Sequence, residues 1–429
     1  MAREQMKNST RPVAVLGGIR LPFCRIGTAY HDLSTLDLLI ENMKVIVERF
    51  DLKGQRLGEV ALGTVFYHPS VWNLAREAVL QIGLSNETPA VGIQRACATS
   101  LDAAILIGNK IATGQIEVGI AGGAESMSDI AVFYRKGLAQ RLKKTIQAKK
   151  WTQRVSAWKG FNVKDLKPEI PPVVEPTTGK SMGQHCEMMA KQWQISRPEQ
   201  DELSLRSHQS GAQAYGRGFY ADLVSPLLGI SKDNNLRDDT SLEKMAKLKP
   251  SFDFSSEGTL TAGNSSPLTD GAACVILSSE AWAKERGLEV QAHLTAYETA
   301  AIDLRSEGLL MAPTYAVSRM LERIGLSLQQ FDFYEIHEAF AAQVLCTLKA
   351  WESDEFCKKR LRRNAPLGSL DRNKLNVVGG SVALGHPFGA TGARLIADMG
   401  KLLTEKGTGR GLLSICTGGG MGTAAVMER

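Results

Sequence analysis

Apolar residues along this chain fall into short runs separated by longer stretches of helical period. From "RPVAVLGGIRLPF" to "AGGAESMSD" the short runs predict strands, and the stretches 34–50 and 98–113 predict the helices between them. In the second stretch Leu101, Ile105 and Ile111 recur with alanines between them, as on a helix packed against a sheet. Such alternation is an α/β pattern. It breaks between 131 and 255, where charge rises, prolines collect in "KPEIPPVVEP" and strand signals fade. That region reads as a mostly helical insertion. The α/β pattern resumes at "GTLTAGNSSPLTDGAACVILSS" (258–279) and runs to the end. The predicted organisation is therefore an N-terminal half made of 1–130 and 256–282, an inserted loop domain 131–255, and a C-terminal half 283–429.

The two halves carry a faint echo. "CATSLDAAILIGNKIATGQIEVGIAGG" passes from a polar turn through a helix to a strand ending in Gly-Gly, and "HPFGATGARLIADMGKLLTEKGTGRGLLSICTGG" does the same. Cys97 and His386 stand at corresponding strand-to-helix joints, which two similar halves could turn toward one cleft. Cys97 follows the apolar run "AVGI" (90–93), and Thr99 and Ser100 are predicted to open the helix after it. A thiol at a helix start is expected to favour its thiolate, although a free cysteine is equally at home as a small packing residue.

Composition narrows the classes. With 429 residues the chain can bury a large core, and 43% hydrophobic with 22% charged residues is ordinary for a globular protein. A formal charge of +6 suits an acidic substrate without requiring nucleic acid. Seven cysteines without a CxxC pair give neither a disulfide framework nor a zinc pattern, which favours a reducing compartment. The start "MAREQMKNSTRPVAV" has no apolar segment of a secretory signal, so a cytoplasmic location is expected, or the mitochondrial matrix in a eukaryote. The 41 glycines cluster in "AGGAES", "NVVGGSVALGHPFGATG" and "CTGGGMG", where backbone must turn tightly or approach a ligand. None of these clusters is a nucleotide loop, since neither GxxxxGK[ST] nor a helix-opening GxGxxG occurs.

Four pieces carry candidate chemistry: Cys97, "EIHEAFAAQ" (335–343), "GGSVALGHPFGATGAR" (379–394) and "ICTGGGMG" (415–422). A nucleophilic thiol needs a base in reach, and His386 in its glycine-rich loop is the candidate. Cys416 ends the apolar run "GLLSI", and the glycines after it would free backbone N–H groups for an oxyanion. Taken together, "RACATS", "AGGAESMS", "TAGNSSPLTDGAA", "HEAFAAQ", "GHPFGATGAR" and "CTGGGMG" resemble the thiolase family over nearly the whole chain, and most of all its trifunctional-complex β subunits.

The resemblance implies a five-layer αβαβα fold of two similar halves and a 3-ketoacyl-CoA thiolase activity. Cys97 would be the nucleophile that carries the acyl group, His386 its base, and Cys416 the second acid/base. One oxyanion hole would use the Cys97 and Gly418 N–H groups, and another His386 with a water held at His337. Most thiolases carry asparagine at the position of His337, and trifunctional-type enzymes carry histidine. Met182, Arg237 and Ser266 fall where the family contacts CoA, while Ser181 replaces a histidine that many thiolases place before the methionine. No metal or prosthetic group is implied, CoA and acyl-CoA being substrates. Implied partners are a second copy of the chain and a hydratase/dehydrogenase α subunit, as α2β2. Rival readings are an acetoacetyl-CoA thiolase working in the condensing direction, a decarboxylating ketosynthase or hydroxymethylglutaryl-CoA synthase, and a non-catalytic acyl-CoA-binding member of the fold. The thiol in "CTGGGMG" argues against the synthases, and the intact residue set argues against the binder.

The segment 135–164 holds ten Lys or Arg and no Asp or Glu, with Leu138, Leu142, Ile146, Trp151, Val155 and Trp158 as an apolar stripe. It reads as a basic amphipathic helix for peripheral membrane contact or α-subunit docking, or as a cover over the active site.

Overall fold

The computed structural model describes residues 10–429; residues 1–9, which open the N-terminal sequence discussed above, lie outside them. The N-terminal strands are β1 (Ala14–Arg20), β2 (Cys24–Arg25), β3 (Glu59–Gly63), β4 (Ala90–Ile93), β5 (Val118–Glu125) and β6 (Thr269–Ser278). The C-terminal strands are β7 (Ala292–Ala301), β8 (Phe333–Ile336), β9 (Arg410–Thr417) and β10 (Met421–Glu428). Their order is β4-β3-β5-β6-β1-β7-β10-β9-β8, with β2 paired to β6. The halves join edgewise where Ala14 and Val15 of β1 pair with His293 and Ala292 of β7. β4, β3 and β5 run parallel, as do β8 and β9, and the remaining pairs are antiparallel.

Alternation along the strands sorts side chains into separate cores. Ala61, Ala121, Val275, Leu413 and Ile415 point inward onto the helices Thr99–Ala112 and Thr391–Lys406. Their neighbours Val60, Leu62, Ile120 and Ile276 face the helices Thr35–Arg49 and Leu74–Val79 on one outer side. On the other, Leu412, Ala424 and Val426 face Ala312–Ile324 and Ala341–Glu352. The result is five layers, helix–sheet–helix–sheet–helix, the fold that the resemblance implied.

The central helices meet closely. The Ala393 N–H donates to Ser100 Oγ at 2.9 Å, and a methyl on Gly392 would stand 2.8 Å from Leu101 Cβ. Ser100 is thus an inter-helix bridge rather than a cap; the cap position is Ala98, without a side-chain bond.

The basic stretch 135–164 departs from the single helix its pattern predicts. It forms two helices, Lys136–Gln147 and Trp151–Ser156, with an extended residue at Ala148 between them. The reason is Arg141, whose guanidinium donates to the carbonyls of Ala157 (3.0 Å), Lys159 (2.8 Å) and Gly160 (2.8 Å), folding the second helix back on the first. The stripe divides accordingly: Leu138 is buried and Trp158 packs edge-on to Phe161, while Ile146, Trp151 and Val155 face outward. Among the described residues no helix is long and apolar enough to cross a membrane.

The Gly392 contact generates a test. Gly392→Ala should cost about 1–3 kcal/mol, the usual penalty of overpacking, and lower the urea midpoint without changing its slope. An unchanged midpoint would mean that the helices are free to separate.

Candidate active site

Cys97 sits on a sharp turn between β4 and the Thr99–Ala112 helix. Ala96 before it has φ +42°, a left-handed conformation that costs a non-glycine residue about 1–2 kcal/mol. The turn is held by hydrogen bonds from Ala98 N–H to Arg95 O (2.9 Å) and from Thr99 N–H to Ala96 O (3.1 Å). Thr99 Oγ1 also accepts from Arg95 N–H at 2.9 Å and donates to Ala96 O at 2.7 Å.

His386 stands in the matching turn before the other central helix. Its backbone N–H donates to Thr269 Oγ1 at 2.7 Å, and its Nδ1 lies 2.6 Å from Thr391 Oγ1. The Thr391 hydroxyl has Pro387 O within 3.0 Å to take its proton, and in that arrangement it accepts from Nδ1–H. That leaves Nε2 as a lone pair, buried and without a protein partner. His337 enters from the end of β8, its backbone N–H bonded to Ser414 O at 2.8 Å. The two imidazole centroids are 4.1 Å apart, and ring nitrogens of both lie within 4.8 Å of Cys97 Sγ.

Cys416 is buried near the end of β9, close enough to Cys97 for a charge there to add to burial in pushing its thiol up. The glycine turn after it puts the Gly418 N–H in hydrogen-bonding reach of the Cys97 thiol. A methyl on Gly418 would stand 3.8 Å from Met182 Sδ, so Met182 borders the cluster. Ser181, where many thiolases have histidine, caps the Met182–Gln192 helix by accepting from Gln184 N–H at 3.2 Å. Ser266 spends both its N–H (3.0 Å) and its hydroxyl (2.8 Å) on Ala339 O, fixing the "HEAF" segment. Arg237 lies on an exposed loop, joined by its N–H to His208, and no contact links it to the cysteines among the described residues.

The electrostatics overturn one expectation. A helix start beside a histidine was expected to favour a Cys97 thiolate. Cys97 as a residue is half-buried, and the burial around its sulfur pushes the thiol up to about 12, outweighing the nearby Gly418 and Cys97 N–H groups. Burial likewise lowers His386 to about 3, with Arg394 adding to the shift, and holds His337 well below the usual imidazole range. The resting pair is a neutral thiol and a neutral imidazole.

Several supporting residues carry no local sequence signal. Glu175, from the proline-rich segment, accepts from Gly419 N–H at 2.8 Å and braces the glycine turn. Glu125 accepts from Thr64 Oγ1 (2.7 Å), Val65 N–H (3.0 Å), Phe66 N–H (2.9 Å) and Gly389 N–H (3.1 Å), tying the His386 loop to the N-terminal half. The position of Glu125 at the end of a buried strand, after Gly-Gly-Ala, could have drawn attention. Glu175 could not, because its partner is 244 residues away.

A thiol, a buried imidazole beside it and backbone N–H groups close to the sulfur are the equipment for acyl transfer through a thioester. Family models identify the class: "Thiolase, N-terminal domain" matches residues 13–281 and "Thiolase, C-terminal domain" matches 288–429. The chain belongs to the thiolase family and is an acyltransferase. It is 40% identical over 433 residues to a "3-ketoacyl-CoA thiolase" of Shewanella baltica (strain OS185), covering 99% of each chain. A "3-ketoacyl-CoA thiolase" of Serratia proteamaculans (strain 568) is 41% identical over 422 residues, covering 97% of this chain and 96% of its own. Among solved structures, Bacillus anthracis acetyl-CoA acetyltransferase superposes with TM-score 0.81 at 31% identity, over 98% of this chain and all of that one. Human mitochondrial 3-ketoacyl-CoA thiolase does so with TM-score 0.78 at 28% identity over the same shares.

Because the thiol is neutral at rest, iodoacetamide alkylation of Cys97 in the free enzyme should keep accelerating with pH beyond 9. A rate that levels off near pH 7, followed by mass spectrometry, would mean a preformed thiolate.

Proposed function

We propose that this chain is a 3-ketoacyl-CoA thiolase that cleaves a 3-ketoacyl-CoA with CoA to acetyl-CoA and a shortened acyl-CoA. The observation that carries this reading is the convergence of Cys97, His386, His337 and Cys416 in a chain 40% identical to proteins of that name. Cys97 gives its proton to His386 Nε2 as its sulfur adds to the C3 carbonyl. The oxyanion takes hydrogen bonds at His337 and the newly protonated His386. The C2–C3 bond then breaks, leaving an acyl thioester on Cys97, and Cys416 protonates the acetyl-CoA enolate. In the second half Cys416 takes the proton of incoming CoA, whose sulfur displaces Cys97 while the Cys97 and Gly418 N–H groups hold that oxyanion, and the departing Cys97 sulfur takes its proton back from His386 Nε2.

Met182, Ser266 and Arg237 are assigned to CoA. The reaction needs no resident metal or prosthetic group, since nucleophile, base and proton donor are all side chains. A homodimer is part of the proposal, supported by β4, a half-exposed strand at the sheet edge beside Cys97. So are assembly with a hydratase/dehydrogenase subunit and a cytoplasmic location.

Thiolysis across 3-ketoacyl-CoA chain lengths tests the reading, and absence of CoA-dependent cleavage at every length would sink it. Cys416→Ala should leave Cys97 alkylable but lower deuterium exchange at C2 of acetyl-CoA at least about 100-fold, as loss of a positioned base does. Exchange at the wild-type rate would remove Cys416 from the mechanism.

The segment 135–164 is assigned to an anionic membrane surface. Ile146, Trp151 and Val155 are exposed among Lys143, Lys144, Lys149, Lys150 and Arg154, and each cation near such a surface contributes about 1 kcal/mol. Charge reversal of the four lysines should abolish co-sedimentation with vesicles containing phosphatidylserine at low salt. Unchanged sedimentation, or capture of only the α subunit, would overturn the membrane assignment.

A further inference from the structure

Two imidazoles share the site, and they need opposite protonation at the nitrogen that faces the reacting carbon. His386 must present a lone pair. His337, if it holds an oxyanion directly or through water, must present N–H. The Thr391 hydroxyl, with Pro387 O to take its proton, supplies an acceptor for Nδ1–H and so fits the first.

The second rests on Ser381, which opens the short helix Ser381–Leu384 and is buried together with His337 and Arg394. Ser381 Oγ has two hydrogen-bonding neighbours, Arg394 Nη2 at 3.2 Å and His337 Nδ1 at 3.0 Å. A guanidinium only donates, so Arg394 occupies a lone pair of the serine oxygen. The serine proton then has one acceptor in reach, His337 Nδ1. The reverse arrangement, with Nδ1–H donating to Ser381, would strand a buried hydroxyl proton at a cost of about 1–3 kcal/mol. Arg394 is itself fixed, by Asp398 Oδ2 at 3.1 Å and the Gly379 carbonyl at 3.5 Å.

We propose that the Arg394–Ser381 pair locks His337 in the tautomer with its proton on Nε2, making Ser381 and Arg394 positioning residues for the oxyanion site. His337 Nε2 is buried without a protein partner, as a donor awaiting an oxyanion would be. The catalytic consequence rests on the role given to His337 above, but the tautomer does not. The two rings, 4.1 Å apart, are thus set in opposite tautomers by two hydroxyls, Thr391 on one and Ser381 on the other.

The test is long-range proton–nitrogen correlation on the full chain labelled with 15N-histidine, with the two rings assigned from His337→Asn and His386→Asn. In the wild type His337 should show an unprotonated Nδ1 and a protonated Nε2, and His386 the reverse. In Ser381→Ala the His337 preference should be lost and kcat should fall about 10- to 100-fold, part of the cost of losing an oxyanion donor, with KM little changed. Ser381→Thr should restore both. A wild-type His337 carrying its proton on Nδ1, or a tautomer indifferent to Ser381→Ala, overturns the lock. A tautomer that shifts while kcat holds upholds the lock and removes His337 from the oxyanion site.

Discussion

The site depends first on how closely two helices can approach. Thr99–Ala112 and Thr391–Lys406 touch where Gly392 meets Leu101 and Ala393 bonds Ser100. Each helix begins at a turn bearing one reactive side chain, Cys97 on one and His386 on the other. Moving the axes apart by a methyl's width would widen a separation between imidazole and thiol that at rest is within 4.8 Å and already longer than a hydrogen bond, the contact that proton transfer needs. The two sheets serve that contact: both half-sheets press on the helix pair from opposite sides, and Glu125 fastens the loop of one half to three donors of the other.

Close packing also buries His386, His337 and Cys416 around a half-buried Cys97, and that burial sets the charge state. A thiol near 12 beside an imidazole near 3 keeps the proton on sulfur until a substrate arrives. In the proposed reaction the ion pair forms only as C–S bonding and carbonyl polarisation supply charge for the N–H donors to meet. Donors already in place make that transfer cheaper than water would, since they need no reorganisation. Arg394, which disfavours a proton on either histidine, belongs to the same arrangement. A thiolate at rest would be more exposed to oxidation and alkylation, so neutrality also protects the nucleophile.

Much of this was legible in the chain because it is local. "AVGI" is a strand at its predicted limits, and 34–50 and 98–113 match helices Thr35–Arg49 and Thr99–Ala112 within one residue. Hydrophobic period and glycine clusters carry such information directly. The thiolate expectation failed because burial is a property of five layers, not of the residues around Cys97. The single basic helix failed because Arg141 reaches carbonyls 16 to 19 residues on, which no periodicity encodes. Ser100 looked like a cap and became a bridge for the same reason, its partner being 293 residues away.

The insertion shows why such distant contacts matter to chemistry. The turn after Cys416 contains Gly418, Gly419 and Gly420, the last two at φ +77° and +67°, and glycine alone would let it move. A mobile turn makes a poor oxyanion hole, because donors that must reorganise lose their advantage over water. Glu175 removes that freedom at the adjacent Gly419 N–H, while Met182 packs beside Gly418. Both residues come from the inserted region, and the Ser181 cap starts the helix that presents the methionine. On the proposed roles, the segment between β5 and β6 therefore takes part in the catalytic geometry: Glu175 and Met182 hold in place a turn that belongs to the C-terminal strands.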